Sequence, residues 1–275
     1  MLITNSSRGD DTYGSRPKPS AKQSKSRATI RVLVVATIII AVFVLWPHRA
    51  VRVYDGFDAA ELSRHWLKWQ FVPGSVKMQS KVVRAGSGAA EITLHRGDRR
   101  EGPSEDGQLL ERDEITESWR YFSRLHRNYR YSFSLYLPAD FPVVPIRLVL
   151  AQWKQVSLWK KCSPVLAVRY EDGMLFVTRR DDQGRSMLYS TRREVRGQWL
   201  DFRFETRFAP GEDGAVQAWL NGEHIIDYRG PTTYRKQWGF PFHGFVYFKT
   251  GLYRNEMQQP MVLYVDEYRK EEISD

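Results

Sequence analysis

The chain has 275 residues, enough for one large β domain or two smaller units, and a formal net charge of +10 from 42 Lys and Arg against 32 Asp and Glu. Cys162 is the only cysteine, so an internal disulfide framework is excluded and the fold must be large enough to stand without one. Residues 1–31 hold seven basic and two acidic residues, or +5, and the rest keeps +5 spread along its length. With no binding motif beside it, that spread excludes nucleic acid as the expected partner.

Residues 1–27 are rich in Ser, Lys, Arg, Gly and Pro, a composition that cannot bury a core, and they read as a disordered basic tail. Ala28 to Trp46 follows, apolar apart from Thr29, Arg31 and Thr37. As a helix it would reach roughly 28 Å at 1.5 Å per residue, close to the hydrocarbon thickness of a bilayer. The basic residues Arg8, Arg16, Lys18, Lys22, Lys25, Arg27 and Arg31 place the N-terminus in the cytoplasm. The run Trp46-Pro47-His48-Arg49-Ala50 lacks a small-x-small cleavage site, so an uncleaved signal anchor is expected rather than a removed signal peptide. The expectation is a single-pass protein of a bacterial inner membrane, held through residues 28–46, with residues 51–275 as a periplasmic domain.

From Val51 onward, short alternating or apolar runs separated by turn residues predict an all-β domain. The predicted strands are 75–83, 89–94, 109–117, 129–137, 146–153, 165–170, 174–179, 199–208, 216–220, 224–228, 244–253 and 261–268. Asp172-Gly173 and Asn221-Gly222 separate hydrophobic runs closely enough to be hairpin turns. A short helix is expected within Asp58–Trp66 and a polar loop over Asp98–Gln108. Strands at this spacing predict a β-sandwich or jelly roll.

Three stretches carry candidate chemistry. In Leu109–Glu117, strand alternation puts Arg112, Glu114 and Thr116 on one face and Glu111, Asp113, Ile115 and Glu117 on the other. A carboxylate beside an arginine can hold its fork toward a ligand carboxylate; an exposed strand with paired charges is the alternative. Leu148–Lys154 is apolar until Gln152 and Lys154, which share a face at the strand's end. Tyr247-Phe248-Lys249-Thr250-Gly251-Leu252-Tyr253-Arg254 presents Tyr247, Lys249 and Tyr253 on one face, with Gly251 leaving room for a close approach. That face suits an extended anionic ligand, or it simply meets water.

Arg-x-Glu, then Gln-x-His, then Tyr-Phe-Lys-x-Gly-x-Tyr, in that order, is the signature of jelly-roll polysaccharide lyases, shared by alginate and glucuronan lyases and by the heparin lyase I type. The chain resembles this family over roughly Tyr54 to Tyr268, and the heparin lyase I-like group most, because Gly197-Gln198-Trp199, Trp219-Leu220-Asn221-Gly222 and Lys-x-Gly-x-Tyr-Arg also recur there. The fold this implies is a concanavalin-like β-jelly roll sandwich after one N-terminal transmembrane helix. One departure stands out: Gln-x-His reads Gln152-Trp153-Lys154 here, so the family's histidine is absent.

The activity this implies is β-elimination on a uronate-containing acidic polysaccharide, such as an exopolysaccharide. Position by position, Arg112 and Gln152 would neutralise the carboxylate, Tyr253 would act as base and acid, and Lys154 would be a fixed positive charge. Glu114, Lys249, Tyr247, Arg254 and His243 are candidate substrate-binding residues. His243, in Phe240-Pro241-Phe242-His243-Gly244, is the candidate to replace the missing histidine, or else a loop residue without a role. No cofactor is required; such sandwiches admit a structural calcium ion, and nothing in the sequence locates one. Two alternatives stay open. One is a glycan-binding module without turnover. The other is a laminarinase-like hydrolase, which would need Glu111 and Asp113 facing the cleft.

Overall fold

The computed structural model describes residues 50–103, 107–157, 162–235 and 244–274. The expected tail, the expected span and His243 lie outside them. No helix among the described residues is long and apolar enough to cross a membrane.

Sixteen strands follow in chain order. They are β1 (Arg52–Asp55), β2 (Trp66–Leu67), β3 (Val76–Gln79), β4 (Ala89–Leu94), β5 (Leu110–Glu117), β6 (Ser123–Arg124), β7 (Asn128–Leu137) and β8 (Leu148–Gln155). Then come β9 (Leu166–Glu171), β10 (Met174–Asp181), β11 (Gly184–Thr191), β12 (Gln198–Arg207), β13 (Ala215–Leu220), β14 (Glu223–Arg229), β15 (Phe245–Asn255) and β16 (Met261–Ile273). They form two antiparallel sheets. One runs β14-β13-β12-β7-β16-β4-β3 with β1 on β16; the other runs β11-β10-β9-β8-β15-β5-β2 with β6 on β15. The all-β sandwich expected from the spacing is present.

Alternation explains the first sheet. β13 buries every second residue, Val216, Ala218 and Leu220, and leaves the others half-buried, the pattern of a sheet with one face on a core. Aromatic residues of both sheets meet in the middle. Trp153 of β8 packs 4.7 Å from Phe204 of β12, and Phe248 of β15 lies 5.1 Å from Phe133 of β7, ring centre to ring centre. Such offset pairs add to the burial of their large apolar areas. β5 differs: all eight of its residues are buried, because its second face is covered as well.

The two hairpin turns form as expected. Asp172-Gly173 and Asn221-Gly222 both take positive φ at both positions, the backbone that matches the twist of the flanking strands. The helix expected within Asp58–Trp66 does not form. The Asp55 carboxylate instead accepts from Phe57 N at 2.9 Å, Ser63 Oγ at 2.5 Å and Trp66 Nε1 at 2.8 Å, and Phe57 stacks on Trp66. These ties draw the segment into a loop ending at β2. β11 was not expected either, because it is a polar edge strand with little apolar alternation.

Candidate active site

β5, β15 and β8 are neighbours, and their register decides what meets. Lys249 pairs with Thr116 on one side and Gln152 on the other, Tyr253 pairs with Arg112, and Tyr247 pairs with Lys154. The cleft face of β5 therefore carries Arg112, Glu114 and Thr116, as strand alternation predicts. Gly251 sits opposite Glu114 with φ +142°, where a bulge in β15 shifts the register against β8. A Cβ there would lie against the Asp113 carbonyl and 2.7 Å from Glu114 Cα. The close approach expected at Gly251 is thus made by the β5 backbone and not by a ligand.

Glu114 organises the cluster. It is 1% exposed and lies 3.2 Å from Arg112 Nη1 and 3.6 Å from Lys249 Nζ, and it accepts a hydrogen bond from Gln152 Nε2. Burial pushes its pKa up, but Lys249 and Arg112 outweigh that and hold it below the usual carboxylate range. Gln70 is the second organiser. Its Oε1 accepts from Arg112 Nη1 at 3.2 Å and from Lys249 Nζ, tying both cations to one amide. Lys249 is 1% exposed, and burial brings its pKa down to about 7 despite Glu114.

Arg112 is 4% exposed. Burial works against its charge, yet Glu114 and Glu101 hold its pKa above the ordinary value; Glu101 Oε2 accepts from Nη2 at 2.5 Å. Its Nε is buried with no hydrogen-bond partner among the described residues. The guanidinium lies 4.0 Å from the centre of the Tyr253 ring, and Arg147 lies 4.3 Å from that same centre. Tyr253 is therefore flanked by two cations at cation–π distance.

Arg112, Gln152, Lys154 and Tyr253 line one cleft of about 440 Å³. Lys154 is half-buried there, and burial first, then Arg112, lowers its pKa. Glu114 and Lys249 stand behind this group as its support. Tyr247 stacks on Phe122 with ring centres 5.0 Å apart, beside the cleft, and burial raises its pKa to about 12. Arg254 corrects an expectation. It is wholly buried on the opposite face of β15, its Nε 2.8 Å and its Nη2 2.7 Å from Glu111 Oε1, and cannot meet a ligand. Glu111 and Asp113 share that interior side, so the carboxylate pair a laminarinase-like hydrolase would need does not face the cleft.

The sequence did not point to Gln70, Glu101, Arg147 or Arg169. Gln70 lies outside any strand and Glu101 in a loop closed by a single bridge to Leu110, so no periodicity marks either. Arg169, in the apolar run Leu166–Glu171, could have been noticed as the one cation on a strand otherwise suited to the core.

A larger hollow of about 520 Å³ lies on the other sheet, lined by Arg52, Tyr54, Arg130 and Arg269 among others. Its arginines are taken up by Glu205, Glu267 and Glu271, whereas the first cleft holds Arg112 and Arg147, each with a buried nitrogen that has no partner among the described residues.

Comparison with known proteins agrees with this fold. Of solved structures, an endo-β-1,4-glucuronan lyase from the fungus Trichoderma reesei is similar at TM-score 0.58 and 17% identity, covering 82% of this chain and 95% of that one. The alginate lyase A1-II′, a member of polysaccharide lyase family-7, is similar at TM-score 0.52 and 11% identity, covering 74% and 86%. At such identities the likeness is one of fold. No curated protein matches the chain. A family model described as polysaccharide lyase matches residues 54–269, most of the chain and every element of the cleft. The chain belongs to the polysaccharide lyase family.

Proposed function

We propose that this lyase acts on a uronate-containing polysaccharide by β-elimination. The observation that carries the reading is the meeting of Arg112, Gln152, Lys154 and Tyr253 in one cleft, with Tyr253 between two guanidinia. The proton on C5 of a uronate is only weakly acidic, so the adjoining carboxylate has to be neutralised before it can leave. Arg112 offers its guanidinium and Gln152 a second amide N–H, the first being held by Glu114. Tyr253, as phenolate, takes the C5 proton; the C5–H electron pair forms the C4–C5 double bond while the C4–O bond breaks. Its phenol then returns the proton to the leaving oxygen, so the residue ends as it began. Negative charge developing in this exchange lies within reach of Arg112 and Arg147. Lys154 adds a positive charge at the position where the family resemblance expects histidine.

The glucuronan and alginate lyases of similar fold put uronans first among the substrates to test. Replacing Tyr253 by Phe keeps the stacking and removes the phenol. The expected outcome is loss of product absorbing at the unsaturated-uronate band by about 10²- to 10⁴-fold. Full activity in Tyr253→Phe would refute the assignment.

For location, the reading rests on the sequence alone: an anchor at residues 28–46, N-terminus inside, the lyase domain in the periplasm and a cell-surface or secreted glycan as substrate. Protease added to spheroplasts should remove the domain and spare the tail; a fully protected domain would refute this.

A further inference from the structure

On the far side of Tyr253 from Glu114 the same cleft is lined by further arginines, and two of them, Arg169 and Arg185, take no part in the elimination chemistry. Arg147 covers the Tyr253 ring, and its Nη1 is buried with no hydrogen-bond partner among the described residues. Arg169 of β9 is 5% exposed, and its Nε donates to the Thr178 hydroxyl at 3.0 Å. Arg185 of β11 is exposed at the same cleft. None of the three forms an ion pair among the described residues. Burial, followed by the charges of Arg147 and Arg185, lowers the pKa of Arg169 to about 9, with Glu171 offsetting only in part. A buried charge held beside like charges without an ion pair is costly, and such clusters gather where a ligand supplies the missing sign.

The register gives the spacing. Val149 of β8 pairs with Tyr253 on one side and Arg169 on the other, so Arg169 is two strands from Tyr253, roughly 10 Å at about 4.8 Å per strand. Arg112 is one strand away in the opposite direction. Leu110, Val149, Ala167 and Tyr253 form a small apolar cluster beneath these cations, with Leu110 and Tyr253 reaching the cleft. Cationic seats thus stand on both sides of Tyr253.

We propose that Arg147, Arg169 and Arg185 form a second anion seat, which takes the acidic group of a sugar neighbouring the one held at Arg112 and so selects polymers acidic on both sides of Tyr253. The inference rests on the lyase reading for the ligand being an acidic glycan. The guanidinium forks suit either a uronate carboxylate or a sulfate ester.

The test is titration of the full chain with three tetrasaccharides. One is β-1,4-linked glucuronate throughout, one alternates glucuronate with neutral N-acetylhexosamine, and one is that alternating compound with sulfate on the hexosamine. The wild-type protein should bind the first more tightly than the second. Arg185→Gln and Arg169→Gln should each weaken the first by about ten-fold, one charge-assisted hydrogen bond, and leave the second within about two-fold. If the third binds like the first and is equally sensitive, sulfate fills the seat; if it binds like the second, the seat is for carboxylate. Equal wild-type binding of all three, or variants that bind all three as the wild type does, would overturn the proposal. Arg185 is exposed, so its variant reports even if Arg169→Gln does not fold. Binding is read without turnover: selective binding with no unsaturated product would count against elimination alone, and unselective binding with turnover intact would count against the second seat alone.

Discussion

On the interior side of β5, Glu111 meets Arg254 at 2.7 Å and Glu117 meets Lys270 at 2.5 Å, one carboxylate to one cation and nothing exposed. On the cleft side, Glu114 and Glu101 share Arg112, and Glu114 also faces Lys249, with Lys154 close enough to be felt. The two interior pairs close their charge, within one sheet at Glu111–Arg254 and between the sheets at Glu117–Lys270, while Asp113 on the same side pairs with no cation among the described residues. The cleft ratio leaves positive charge over, held in place by Glu114 and Gln70, so an anion has somewhere to bind and the cations need not reorganise to receive it. Charged residues alternate along one strand in both cases; what differs is how many partners the facing strands supply.

The strongest way to break this comparison is at Arg112. Arg112→Ala should lower kcat/KM on a cleaved uronan by about 10²- to 10³-fold, read as the initial rate of unsaturated product, with folding kept. Arg112→Lys should recover little, since an ammonium lacks the fork that grips a carboxylate. An Arg112→Ala variant that lost stability while its folded fraction kept wild-type activity would make the cleft side structural too.

The converse experiment is on the interior side. Lys270→Met leaves Glu117 buried without its cation and should cost about 3–5 kcal/mol of stability in urea titration, while the folded fraction keeps its kcat. A variant equally stable but inactive would undo the division of labour between the two faces.

A smaller effect sharpens the comparison through pH. Burial raises the Asp113 pKa from 3.8 to about 7. Between those values the folded chain holds a proton that the unfolded chain gives up, so stability from this group falls as pH rises from about 4 to about 7 and the penalty is complete above. Lys249 runs from 10.5 unfolded to about 7 folded, and its penalty, complete below about 7, is relieved as pH rises toward 10.5. Asp113→Asn keeps the acceptor for Val72 N, now 2.7 Å away, and should flatten the acid-side slope of melting temperature. Lys249→Met should flatten the alkaline side. Slopes unchanged in both variants would refute these shifts.

Much of the architecture was legible because its causes are local. Ala89–Leu94 and the two hairpin turns are written in alternation and in Asp-Gly and Asn-Gly pairs, and they stand where those signals put them. The loop over residues 58–65 was not legible, because the group that prevents a helix is the Asp55 carboxylate folded back onto Trp66. In the cleft, strand parity gave Arg112 and Glu114, and the family signature gave Gln152 and Tyr253. Gln70, Glu101 and Arg147 come from segments without periodicity, and their value lies only in what they touch. Arg254 misled for a related reason: it directly follows Tyr253, and a strand turns successive residues to opposite faces.

By itself the sequence determined which residues alternate, where the chain turns and which faces carry charge, since these depend on steric rules acting over a few residues. Tertiary structure alone decided that Glu114 and Gln70 would gather the cations, that the β5 backbone would fill the space at Gly251, and that Arg147 and Arg169 would stand near Tyr253 without an ion pair among the described residues. Those outcomes depend on the register between strands distant in sequence, and on burial, which sets what each charge costs and what it seeks.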